Sequence, residues 1–183
     1  VRLLDLHLHL EHLRVGVGPL LADVRHGRHL AGEPLVRIGV IHPIESYWLF
    51  MGPGDQTSGE RERQDKAFLD VTGWMLRGMQ DFDYISEALL PKQCPKVKGR
   101  ELKVGAMAYD AVLVPWLTTI RSTTLDRLEK FAAEGGKVVF AGQAPKLVDA
   151  APSDRAVKLA EKCVCVDWDK GLIVDAFASL REI

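Results

Sequence analysis

Six histidines, three cysteines and a handful of well-placed carboxylates are the residues here that could do chemistry. The segment "IGVIHPIESYWLFMGPGDQT" draws most of them together. His42, Glu45 and Ser46 follow a short apolar run, where an imidazole, a carboxylate and a hydroxyl could bind a sugar or a cofactor or move a proton. Tyr47, Trp48 and Phe50 stand beside them; amphipathic aromatics in a loop suit sugar stacking or a protein interface. His7 and His9, in "DLHLHLEHL", point the same way on an extended segment and could share a metal. The plainer reading is chance histidines, because His26, His29 and His42 lack ligand-type neighbours. No metal or cofactor is expected. "GPG" at Gly52–Gly54 matches neither GxGxxG nor GxxxxGK[ST], so support for nucleotide binding is weak.

A nucleophile needs a sharp turn after a central strand and donors at the next helix start. The turn after "KVVFAG" offers Gln143 where a Cys or Ser would be required, and a carboxamide is not a useful nucleophile. The other turn, after "DAVLVP", carries Trp116 and Leu117. Cys94 lies in a Pro/Lys loop. Cys163 and Cys165 sit two apart in an apolar run and read as buried free thiols of a reducing compartment. An acid/base couple of Glu45 with Asp55 or Glu87 is conceivable, but nothing in the spacing fixes their separation.

The elements that must position these groups alternate. Val36–His42, Phe82–Ser86, Asp110–Pro115, Lys137–Gly142 and Cys163–Val166 read as strands; Glu101–Val104 reads as an edge strand or part of a hairpin. Glu60–Gln80 is the strongest helix, with Ala67, Phe68, Val71, Trp74, Met75 and Met79 recurring at helical steps. Thr123-x-x-Asp126 reads as a capping box and Gly135-Gly136 as the end of that helix. Ser153–Lys162 and Lys170–Arg181 read as two further helices. Parallel strands need crossover helices, so the rhythm predicts an α/β fold. It is a three-layer α/β/α sandwich around a mostly parallel, five-stranded, flavodoxin-like sheet. Residues 1–34 break the rhythm and read as an extension or the tail of a preceding domain; residues 35–183 are the sandwich.

The 183 residues are 47% hydrophobic and 27% charged, with a formal net charge of -1. That suits one domain with a sizeable core and gives no reason to expect nucleic acid or an anionic membrane as partner. The basic residues between Lys92 and Lys103 read as a solvated face. No run of 18 apolar residues and no leader pattern is read, so a cytoplasmic location is expected. A chain that opens on Val1 is expected to be a segment of a longer one.

"IGVIHPIESYW", "LDVTGWMLRGMQDFDYISEALLP" and "LKVGAMAYDAVLVPWLTTIRSTTLDRLEKFAAEGGKVVFAG" together resemble the domain that follows the catalytic barrel in large bacterial glycoside hydrolases. They are similar to the β-galactosidase trimerisation domain, a relative of the class I glutamine amidotransferase fold. The resemblance covers about 35–142. It implies a domain that has lost amidotransferase chemistry, in keeping with Gln143. The catalytic carboxylates would sit on the barrel, outside this chain. The domain would help assemble a homo-oligomer and lend a loop to the rim of a neighbouring active site. Its partners would be a barrel in the same protein or another subunit, with carbohydrate within reach. Pro43–Thr57 would be the contact loop, Tyr47 and Trp48 its anchors, and His42, Glu45 and Ser46 its polar contacts. The rival expectation is a stand-alone amidotransferase-like enzyme or sugar hydrolase using His42, Glu45, Ser46 and Glu87. A metal-dependent hydrolase built on His7 and His9 is the third.

Overall fold

A computed structural model describes residues 36–181; the extension and the histidines at 7, 9 and 12 lie outside them. Five short strands form one all-parallel sheet. They are β1 (Ile38–Ile41), β2 (Phe82–Ile85), β5 (Ala111–Val114), β7 (Lys137–Ala141) and β10 (Val164–Val166), in the spatial order β2-β1-β5-β7-β10. Every pairing between neighbours is parallel. The sandwich is therefore flavodoxin-like, with the order reversing between β1 and β5.

The strands β1, β5 and β7 carry apolar side chains on both faces because both are covered. Val112, Val114, Val138 and Phe140 face one core, with Leu90, Leu125, Leu128, Phe131, Ala156 and Leu159. These come from α3 (Leu90–Gln93), α4 (Ser122–Ala133) and α5 (Arg155–Ala160). Val40, Ala111, Leu113, Val139 and Ala141 face the other core, with Val71, Met75, Ile173 and Phe177. That side is made by α2 (Gly54–Arg77) and α6 (Lys170–Ala176). Gly39 leaves room where β1 meets its neighbours: a Cβ there would lie 2.4 Å from Ile85 Cδ1 and 3.1 Å from Tyr109 Cδ2.

Three sequence expectations change. Pro43–Thr57 is not one loop: α1 (Ile44–Trp48) follows β1, and α2 begins at Gly54, six residues before the expected start at Glu60. The capping box at Thr123 does not form, because α4 begins at Ser122 with no side-chain cap of its own. Donors there are taken by distant carboxylates: Asp149 Oδ1 accepts from Ser122 N–H at 2.9 Å and Glu87 Oε2 from Arg121 N–H at 2.8 Å. The thiols are not uniformly buried: Cys94 is, Cys163 is half-buried and Cys165 is exposed.

Gly135-Gly136 does end α4. Gly135 adopts φ +86°, and Gly136 N–H reaches back to Phe131 O at 2.8 Å, the six-to-one bond of a glycine C-cap. The hairpin near Glu101 exists as β3 (Leu102–Val104) against β4 (Met107–Tyr109). A small three-stranded sheet went unread. It joins β6 (Thr119–Ile120), β8 (Leu147–Val148) and β9 (Ala151–Pro152) beside the C-terminal ends of β1 and β5. Two-residue strands carry no usable periodicity. Among the described residues no helix is long and apolar enough to cross a membrane.

Candidate functional site at the strand switch point

In open parallel sheets the crevice at the point of strand-order reversal is where ligands sit. Here it is the space beyond β1 and β5. The chain leaving β1 turns through His42 and Pro43 into α1. The chain leaving β5 runs through Pro115–Thr118 into β6 and α4.

Ser46 fastens the two together. Its Oγ accepts from Thr118 N–H (2.9 Å) and Thr119 N–H (3.1 Å) and donates to Thr119 O (3.1 Å); Ser46 and Thr119 are buried and Thr118 is half-buried. The hydroxyl is spent on backbone groups that would otherwise be orphaned. His42 is fully buried, edge-on to Phe68 and Tyr84 with ring centroids 5.5 and 5.3 Å away. Tyr47 is buried with Ile44 and Phe68. Three of the five predicted contact residues thus hold the junction from within. Trp48 and Glu45 reach outward.

Beside α1 opens a cleft of about 290 Å³, lined by Glu45, Trp48, Leu49, Thr119, Ile120, Arg121, Asp149 and Ala150. Arg121, the last residue before α4, donates from Nε and Nη2 to Glu45 Oε1 at 2.8 and 2.7 Å. Asp149 and Ala150 form the tight turn between β8 and β9. Both have positive φ, +51° and +62°, as a two-residue hairpin requires. Alanine is an unusual choice there. The turn is held by Ala150 N–H to Thr119 Oγ1 (3.1 Å) and Asp149 N–H to Ile120 O (3.0 Å).

Hydrogen bonding from Ser122, hydroxyl first and then N–H, keeps the Asp149 carboxyl below the usual carboxylate range. Glu87 lies outside the lining and is 1% exposed. Burial, the largest effect, pushes its carboxyl up to about 7, against the Arg121 N–H and the Thr124 hydroxyl; the charge of Glu45 adds to the rise.

The turn after β7 is a different place. Gly142 has φ +76°, and a Cβ on it would touch the side chains of Trp168 and Trp116 at 3.6 and 3.7 Å. Those two indoles meet at 6.1 Å between centroids, Trp74 joins Trp168 at 5.5 Å, and the Arg63 guanidinium lies 4.7 Å over Trp116. Gln143 is exposed, and the chain beyond it enters β8 rather than a helix. No helix start follows this turn to offer an oxyanion its N–H groups.

Sequence reading therefore brought Glu45 and Trp48 to the cleft and missed Arg121, Thr119, Asp149 and Ala150. One signal in the sequence points to Arg121: it stands just before the helix that follows the second switch-point strand, β5. Among the described residues no group of three or more His, Cys, Asp or Glu is placed to hold a metal ion. Set beside protein-family models, curated proteins and solved structures, the chain matches none.

Proposed function

We propose that this chain is an accessory contact domain of a carbohydrate-active glycoside hydrolase, without complete catalytic machinery of its own. Its work is to present the segment after β1 at an interface between copies or toward a catalytic barrel. The observation that carries the reading is the exposure of three apolar side chains in four residues, Trp48 (39%), Leu49 (39%) and Met51 (54%), at the switch-point end of the sheet. Exposed apolar side chains grouped at one spot suit a protein contact, and a tryptophan is the side chain most able to anchor one. The resemblance of the flanking segments to a trimerisation domain supplies the class of parent protein.

The groups that a stand-alone enzyme would use support this reading by their commitments. Ser46 is bonded to backbone, His42 is enclosed by rings, Glu87 is buried and Gln143 is the wrong chemistry. The test is sedimentation velocity over a concentration series, on the chain and on a Trp48→Ser/Leu49→Ser/Met51→Ser variant. The expected result is concentration-dependent assembly of the chain and a monomeric variant. A chain that stays monomeric throughout, or a variant that assembles as well, counts against it.

A further inference from the structure

We infer that a second copy of this chain covers the exposed face of α2, with its Trp48 seated in a notch between Leu69 and Leu76. The inference rests on the contact-domain reading, takes the contact to be one between copies, and names the surface on its other side.

A second group of large apolar side chains is more open to solvent than the one at Trp48. Leu69 (50%) and Leu76 (61%) stand on α2, and Met79 (77%) lies just beyond its end. Seven residues are close to two helical turns, so the leucines share one face of α2. That face is turned away from Phe68, Val71 and Met75, which enter the core. Met79 adopts φ +55°, and Gln80 N–H reaches back to Met75 O at 3.0 Å. In such a helix stop the left-handed residue is usually glycine. Methionine in its place is strained and exposed at once.

The shape of this face selects its occupant. Gly73 falls between the two leucines, and a Cβ on it would lie 2.7 Å from Arg77 Nη2. The guanidinium therefore lies over a gap with a leucine on either side. Apolar walls and a cation suit a flat aromatic ring, which gains from the charge as well as from burial. Among the described residues Trp48 is the one aromatic side chain in the exposed class. It cannot fill the notch of its own chain. α2 runs away from the end of the sheet where Trp48 stands, and Leu69 and Leu76 lie about 22 and 33 Å along it from Gly54. Another copy can supply the ring. The two patches differ, so the contact is head to tail: each copy offers Trp48 to one neighbour and its notch to another, as in rings and filaments.

The experiment is sedimentation velocity on the full chain and three variants, each checked by circular dichroism for retained helix. One is Trp48→Ser/Leu49→Ser/Met51→Ser, which keeps the notch. The second is Leu69→Gln/Leu76→Gln/Met79→Asn, which keeps Trp48; glutamine suits a helix and asparagine tolerates positive φ. The third, Gly73→Leu, fills the notch while favouring the helix more than glycine does. The first two are each expected to be monomeric. Mixed in equal amounts they are expected to form a two-chain species that grows no further, because each supplies the patch the other lacks. Gly73→Leu is expected to weaken assembly at least about tenfold. A second variant or a Gly73→Leu chain that assembles as well as the unaltered chain overturns the inference. So does a mixture that stays monomeric up to about 200 μM. Assembly lost in the first variant but kept in the second sinks the notch and spares the contact domain. Assembly kept in the first variant, or an unaltered chain that never assembles, sinks both.

Discussion

Two corners sit at the same end of this sheet and have been filled in opposite ways. After β7, a strand-end turn where a nucleophile can sit in α/β sheets, Gly142 turns beneath Trp116 and Trp168, and the chain continues into a small sheet. After β1 and β5 the chain leaves an open cleft edged by an ion pair, a strained turn and an exposed tryptophan. The first corner is sealed by aromatic packing. The second is held open by hydrogen bonds that fix its walls from behind. One sheet end can therefore close one turn and keep a shaped surface beside it, because the two are built by different strands.

If the cleft is held from behind, the largest effect should come from Ser46. Ser46→Ala removes one oxygen that serves two N–H groups and one carbonyl. Leaving them unmet should cost about 4 kcal/mol, read as a lower denaturation midpoint at unchanged slope. A loss under about 1 kcal/mol would mean that the cleft walls do not depend on this clasp.

Next in size is the pH dependence set by Glu87, behind the same wall. Its folded-state value of about 7 lies above the ordinary 4.5, so the folded chain keeps a proton that the unfolded chain releases. The contribution is fully present below about pH 4.5, is lost as pH rises toward about 7, and is level above that. Over that window it should amount to about 3 kcal/mol. Glu87→Gln, which cannot ionise, should flatten that slope in chemical denaturation between pH 4.5 and 7. A slope that survives the substitution would place the titrating group elsewhere.

The sealed corner should respond more mildly. Trp168→Ala takes away a half-buried ring that contacts Trp74 and Trp116. The cost should be about 2 kcal/mol, below that of a fully enclosed tryptophan. In sedimentation velocity the same variant should leave assembly through Trp48, Leu49 and Met51 unchanged. If assembly fell with Trp168, the two corners would not be separate.

How far the sequence carried the fold follows from what each element repeats. Asp110–Pro115 and Lys137–Gly142 were legible because a parallel central strand is apolar on both faces, and α2 because Phe68, Val71 and Met75 recur on one side. The Gly135-Gly136 stop was legible because positive φ strongly favours glycine. What failed was long-range. The caps of α4 come from Glu87 and Asp149, residues 34 and 27 positions from their donors, and no local window contains them. Burial of His42 and Ser46 was equally hidden: a polar residue after a strand looks the same whether it faces water or locks a loop. Trp48 and Glu45 were legible because they follow β1 directly on α1; Arg121 and Asp149 were not, because the cleft is assembled across the switch point. That the turn after β7 carries a carboxamide, Gln143, was legible from residue type alone, while the tryptophans that fill its corner were not.

The central claim is that this end of the sheet makes contacts and performs no chemistry. Its most direct test is turnover by the purified chain, assayed for ammonia release from glutamine and for cleavage of chromogenic glycosides across a substrate series. The account predicts rates indistinguishable from buffer for the chain and for Trp48→Ala alike. Saturable turnover of either substrate class, lost on substitution of Glu45 or Ser46 in a variant that remains folded, would contradict it.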